Sequence, residues 1–218
     1  MTIISSVYVP EGIVLCSDSR LTGQKRYDNG NLDMFTISDN SQKLLLLKDS
    51  KIGVNYCGDA IIEGKTIADF LRVFDIEKVD EQDSVKDVTI KLHNYLKENY
   101  NHYTVVFIVA GYYKDVPFVF AVDKHGFHRK NATEDGNILY GAYWNGEEEP
   151  VTKLFKDTPF NFDLMPLKDA VDFAEFTAEI AIKYTRFADQ ISTCGGPIDI
   201  LVITKDFTDF FRHKVLKP

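Results

Sequence analysis

The stretch from Thr2 to Thr22 reads TIISSVYVPEGIVLCSDSRLT and sets the fold. Thr2–Val9 is rich in Ile, Val and Tyr, the side chains that suit a pleated surface. Pro10-Glu11-Gly12 carries turn chemistry, and Ile13–Ser17 is a second apolar run. This pattern predicts a β-hairpin at the start of the chain. Thr2 follows the initiator Met directly, which by itself marks nothing more than a strand residue.

Beyond the hairpin, residues 21–41 are polar and rich in Gly, Asn and Asp, and they read as a long loop. Lys43–Leu47 and Ile52–Cys57 read as a strand pair around a turn at Lys48-Asp49-Ser50, closed by Gly58. Lys65–Phe74 has Ile67, Ala68, Leu71 and Phe74 at helical spacing. Ser84 is the predicted N-cap of a second helix, with Asp87 at its third position and Val85, Val88, Leu92 and Leu96 as its buried stripe. Strands are predicted at Tyr103–Tyr112, Pro117–Val122, near Phe127 and at Ile138–Tyr140. Leu167–Thr185 reads as a strongly amphipathic helix, and strands follow near Ile198–Thr204 and Phe210–Val215. Runs of strands alternate with runs of helices, which predicts an α+β layered fold rather than a doubly wound sheet. No Pro/Gly/Ser linker divides the chain, so residues 1–218 read as one domain.

Composition narrows the function classes. The formal net charge is −8, with no Lys/Arg cluster to offset it. Nucleic acid is therefore not an expected partner, because neutralising phosphates needs a basic face. An anionic membrane surface is not expected either. The start of the chain carries no cationic leader, and the longest apolar stretch, Thr104 to Gly111, has strand length. Cys16, Cys57 and Cys194 form no disulfide pattern, and a cytoplasmic location with reduced thiols is expected.

Several segments together resemble the β-type subunits of proteasomes and the peptidase subunit of the bacterial two-component ATP-dependent protease. Thr2, the turn Gly12, the apolar strand Ile13-Val14-Leu15, Ser17-Asp18 and Arg20 follow the opening of that family, and Asp18 falls at its spacing without a gap. QKLLLLKDSKIGVNYCGDA, residues 42–60, resembles the family's strand that begins with a catalytic Lys, here Lys43, and ends in a small-residue bend, here Gly58. GGPIDILVIT, Gly195–Thr204, resembles its C-terminal step from Gly-Gly into a strand. Weaker echoes are Ala110-Gly111, Val122-Asp123 and Leu139-Tyr140-Gly141. The resemblance implies a four-layer α-β-β-α sandwich of two antiparallel sheets, the N-terminal nucleophile hydrolase fold. It implies threonine-type endopeptidase activity on peptides or unfolded protein, self-association into rings, and an ATP-dependent unfoldase as a possible partner.

The residue chemistry fits that reading. A Thr hydroxyl needs a base beside it. An N-terminal Thr carries one, its own α-amine, with an unperturbed pKa of about 7.7–8.0. A neighbouring ammonium lowers that value further, a role for Lys43, and Asp18 holds Lys43 by a charge-assisted hydrogen bond. Backbone N–H groups at Gly58 stabilise the oxyanion. Arg20 supports the site and takes no part in the chemistry. The reading calls for no cofactor and no metal. It requires that Met1 be removed, and no propeptide is expected.

The sequence also departs from the family. Where Gly-Ser-Gly is usual, it has Gly141-Ala142-Tyr143, without the hydroxyl. Asp189 and Ser192 keep the spacing of a supporting Asp and Ser, but Thr193-Cys194 adds two residues before Gly195. The segment from Gly23 to Gln42 is longer than usual and is expected near a substrate channel or subunit contact. Three other features read as structural: His125 and His128 as surface residues, Cys57 as a small buried hydrophobe rather than a nucleophile, and Glu147–Glu149 as a solvated helix start. A small-molecule amidase or acylase with the same nucleophile, and a silent structural subunit, are the rival functions.

Overall fold

β1 (Ile3–Val9) is buried along its whole length, which explains why its sequence shows no polar alternation. Ile3, Val7 and Val9 pack on one face, Ile4 and Tyr8 on the other. A strand covered on both faces belongs in an inner layer. β1 turns at Pro10-Glu11 into β2 (Gly12–Ser17), likewise fully buried, so the predicted hairpin is present.

The coordinates are a computed structural model and describe residues 2–49, 51–189 and 191–214. After β2 come β3 (Leu21–Arg26), β4 (Leu32–Ser38), β5 (Leu44–Leu47), β6 (Ile52–Gly58) and the two-residue strands β7 (Ile61–Ile62) and β8 (Lys65–Thr66). Helices α1 (Ile67–Lys78) and α2 (Val85–Asn99) lead to β9 (Val105–Tyr113), β10 (Val116–Val122), β11 (Phe127–Arg129) and β12 (Gly141–Gly146). Helices α3 (Glu149–Phe155) and α4 (Leu167–Phe187) precede β13 (Asp199–Ile203) and β14 (Thr208–Arg212).

Two five-stranded sheets result, in the orders β12-β1-β2-β13-β14 and β11-β10-β9-β6-β5, with every pairing antiparallel. Three apolar clusters join the layers. One seals α1 and α2 onto the second sheet through Phe70, Leu71, Phe74, Val88 and Leu92. Another seals α4 onto the first sheet through Ala170, Val171, Ala174 and Ala178. The third lies between the sheets around Ile4, Leu15, Leu44, Ile108 and Leu201. Each fully buried aliphatic side chain contributes about 1.5–3 kcal/mol. Asn55 adds a polar tie, its Nδ2 donating to the Ser5 and Cys16 carbonyls across the sheet interface at 3.2 and 3.0 Å. The molecule is thus a mixed α+β domain with antiparallel sheets in a sandwich.

Local signals hold where the chain packs on itself. Ser84 caps α2 with a complete capping box that includes Asp87. Other expectations need correction. Residues 21–41 are no loop, because β3 and β4 form a hairpin around Tyr27–Gly30. It stands off the core with both faces largely exposed, so it needs no apolar alternation. The strand expected at Ile138–Tyr140 lies at Gly141–Gly146, and Ile138 makes only an isolated bridge to Ala132. Helix α3 starts at Glu149, so Glu147 and Glu148 precede it. Met1, Ser50 of the expected turn and Val215 of the expected last strand lie outside the described residues. No helix among the described residues is long and apolar enough to cross a membrane.

Candidate active site

β1, β2 and the start of β5 bring three side chains together that are far apart in the chain. Lys43 Nζ donates to Thr2 Oγ1 at 2.8 Å and to Asp18 Oδ1 at 2.9 Å. Thr2, Asp18 and Lys43 are 5 %, 0 % and 1 % exposed, so the ion pair is buried. Desolvating two charges costs several kcal/mol each, and only full hydrogen bonding offsets it. Asp18 has that bonding. Its Oδ1 also accepts from Ile3 N at 3.2 Å, and its Oδ2 accepts from Arg20 N and Gly195 N, both at 3.0 Å. The Gly195-Gly196 step is therefore part of the site, because it delivers one of these donors.

Gly58 ends β6 with φ +109, a conformation that disfavours any side chain, and a Cβ there would lie 2.2 Å from the Thr104 carbonyl oxygen. Asp59 N–H bonds to the Thr104 carbonyl at 2.9 Å, so antiparallel alternation turns the Gly58 N–H away from β9. The β5 ladder stops at Leu44 opposite Asn55, short of Gly58. Thr2 separates two clefts, of about 270 and about 310 Å³, and Gly58 and Asp59 line both. Leu21, Thr22 and Gln24 of β3 reach the first, so the β3–β4 hairpin borders it.

Arg20 grips Asp39 through two bonds of 2.6 and 3.0 Å and donates to the Ser192 carbonyl at 3.3 Å. It also holds the Asp39 carboxyl below the ordinary range. Its guanidinium thus ties β2 to the loop before β13. Ser192 Oγ donates to the Cys194 carbonyl at 2.8 Å and bonds Thr185 Oγ1 at 3.1 Å, which shapes that loop rather than Thr2. Asp189 is exposed just past α4, and its side chain makes no hydrogen bond among the described residues. The expected role of Ala142 also needs correction. It pairs with Val7 and packs under α4, about 16 Å along the strand from Thr2, so the hydroxyl it lacks would not stand at Thr2.

Gly146 at the end of β12 and Glu147 just after it both meet Thr2, although Glu147 reads in the sequence only as part of a solvated helix start. Gly146, φ +99, passes so close that a Cβ would lie 1.8 Å from the Thr2 carbonyl oxygen. Glu147 N donates to that carbonyl at 2.8 Å, and Glu147 Oε2 accepts from Thr193 Oγ1 at 2.9 Å. Only the Asn145-Gly146 pair hinted at a bend. Cys57 borders the second cleft and donates to Asn145 Oδ1 at 3.2 Å. Burial pushes its thiol up to about 12, against a smaller opposing effect of Lys43, and burial also raises Cys16 and Cys194. Among the described residues no group of three or more His, Cys, Asp or Glu could hold a metal ion. A larger apolar groove of about 450 Å³, between α4 and β14, contains neither Thr2 nor Lys43.

No protein-family model matches the chain, and no curated protein matches it significantly.

Asp18→Asn turns an amide NH₂ toward two donors whichever way it lies, and it strands the Lys43 charge. It is expected to cost about 3–5 kcal/mol in urea unfolding. Lys43→Met leaves Asp18 its three backbone donors and is expected to cost less; the reverse order would contradict this account of the pair. The raised thiol pKa values leave almost no thiolate at neutral pH. A colorimetric disulfide reagent at pH 8 is expected to label the three cysteines slowly in the folded protein and rapidly in urea. Fast labelling of Cys57 in the fold would show an activated thiol.

Proposed function

We propose that this chain is an amide hydrolase whose nucleophile is the Thr2 hydroxyl, a threonine-type peptidase with the N-terminal nucleophile hydrolase architecture. The observation that carries the reading is the buried contact of Lys43 Nζ with both Thr2 Oγ1 and Asp18. An ammonium that donates to the hydroxyl oxygen leaves the hydroxyl proton free to point elsewhere and stabilises the oxygen as it loses that proton.

The reaction then runs as acyl transfer. Thr2 Oγ1 bonds to the scissile carbonyl carbon while its proton passes to the Thr2 α-amine, free once Met1 is gone. The oxyanion meets the Gly58 N–H, a kind of contact that contributes about 10²–10³ in rate. The C–N bond breaks as the new ammonium returns its proton to the leaving amine. Water, deprotonated by the same amine, attacks the ester and restores the hydroxyl. General base catalysis of this kind contributes about 10²–10⁴. Asp18 fixes Lys43, Arg20 fixes the loop that supplies Gly195, and Gly146 and Glu147 hold the Thr2 backbone.

The clefts on both sides of Thr2 suit a substrate that extends in both directions, which favours a peptide over a small amide. Self-association belongs to the same reading. It is supported by Phe176, Tyr184 and Phe187 on α4, exposed at 46, 49 and 81 %. A cytoplasmic location and an unfoldase partner complete the proposal.

Turnover of a panel of fluorogenic peptides and simple amides is the test. Peptides are expected to be cleaved, with Thr2→Ala lowering kcat by at least about 10³. Cleavage that survives Thr2→Ala would overturn the proposal, and cleavage confined to simple amides would turn it toward an amidase.

A further inference from the structure

The cleft on the β12 side of Thr2 continues past the site. Val106 and Asn145 line it, and the same two side chains line the next cavity, of about 200 Å³, so the two are parts of one groove. The fold explains the opening. β12 is the edge of one sheet, and β10 lies next to the edge of the other. Tyr143 and Val106 both face the inter-sheet layer, and Ala121 shares that face by strand alternation with Val119. Side chains as small as Val106 and Ala121 leave the space unfilled.

The far end of the groove is lined by His125, His128 and Lys130. Lys130 Nζ sits 4.3 Å from the centre of the Tyr143 ring, and among the described residues no carboxylate forms an ion pair with it. Asp123 also lines this end, but its Oδ1 accepts from His125 N and Gly126 N at 2.7 and 3.0 Å, turned into its own bend. In a protein of net charge −8, an unpaired ammonium at the end of a groove is a recognition element that wants an anion.

The geometry points to a specificity subsite for a carboxylate on the substrate, with Lys130 as the group that binds it. Tyr143 pairs with Ser6, four residues along β1 from Thr2, which sets the span at about 13 Å. An extended peptide covers that length in about four residues. The inference rests on the Thr2 reading for the position of the scissile bond, and it names the substrate class: peptides with an acidic side chain or terminal carboxylate about four residues from the bond, on one side of it.

Binding to the Thr2→Ala protein tests the subsite without requiring turnover. Fluorescent octapeptides that differ only in Glu against Gln at each position are titrated by anisotropy. Glu at one position about four residues from the centre is expected to tighten binding about tenfold, an effect that weakens in high salt. Lys130→Met is expected to abolish the preference, and Lys130→Arg to retain it. Equal affinity for Glu and Gln peptides at every position, a preference that survives Lys130→Met, or no peptide binding at millimolar concentration would each overturn the subsite. The Thr2 reading fails on different evidence, the absence of turnover in the unaltered protein, so the two failures are distinguishable.

Discussion

The buried Asp18–Lys43 pair is the constraint that the rest of this structure serves. Two charges sealed between sheets are tolerated only where close pairing and further hydrogen bonds offset their desolvation. Asp18 meets that demand with Lys43 and with three backbone donors, Ile3, Arg20 and Gly195, drawn from β1, from the end of β2 and from the step into β13. Lys43 directs two of its three N–H groups to Asp18 and to the Thr2 hydroxyl. One carboxylate thereby fixes the relative positions of three chain segments and aims an ammonium at a single oxygen.

The layers serve that pair. Cores on the outer faces of both sheets leave the inner strands without solvent contact, so β1 and β2 are buried on both sides and hold their register firmly. The Thr2 end of the fold is different in kind. There Gly58 and Gly146 carry positive φ, and their backbones pass the Thr104 and Thr2 carbonyls at distances no side chain allows. Rigid apolar layers with a glycine-built rim give a site that is pre-positioned yet open to clefts on both sides.

This division also explains what was legible in the sequence. The β1–β2 hairpin and the capping box of Ser84 and Asp87 could be read because local propensity and packing agree there, whereas the spacing of Thr2, Asp18 and Lys43 was legible only through the family resemblance. The β3–β4 hairpin was hidden because it packs on no core and so carries no alternating pattern, although Asp28-Asn29-Gly30 is a turn signal. Strand β12 was misplaced for the opposite reason. Its Gly, Ala and Asn are poor strand formers, and Gly146 serves close approach to Thr2 rather than propensity, whereas the apolar Ile138-Leu139-Tyr140 looked the better strand. The roles of Glu147 and Thr193 arise from contacts between residues 145 apart in one case and 46 in the other, which no local pattern encodes. Asp189 had the expected spacing but lies exposed beyond α4.

The central claim is that Thr2 is an N-terminal nucleophile, and its strictest condition is chemical: the α-amine must belong to Thr2. The most direct measurement is the intact mass of the native protein before and after treatment with an electrophile that reacts with N-terminal threonine. The account predicts a chain beginning at Thr2 and a single adduct that maps to residue 2. A chain that retains Met1 in all molecules and takes up no adduct would contradict it.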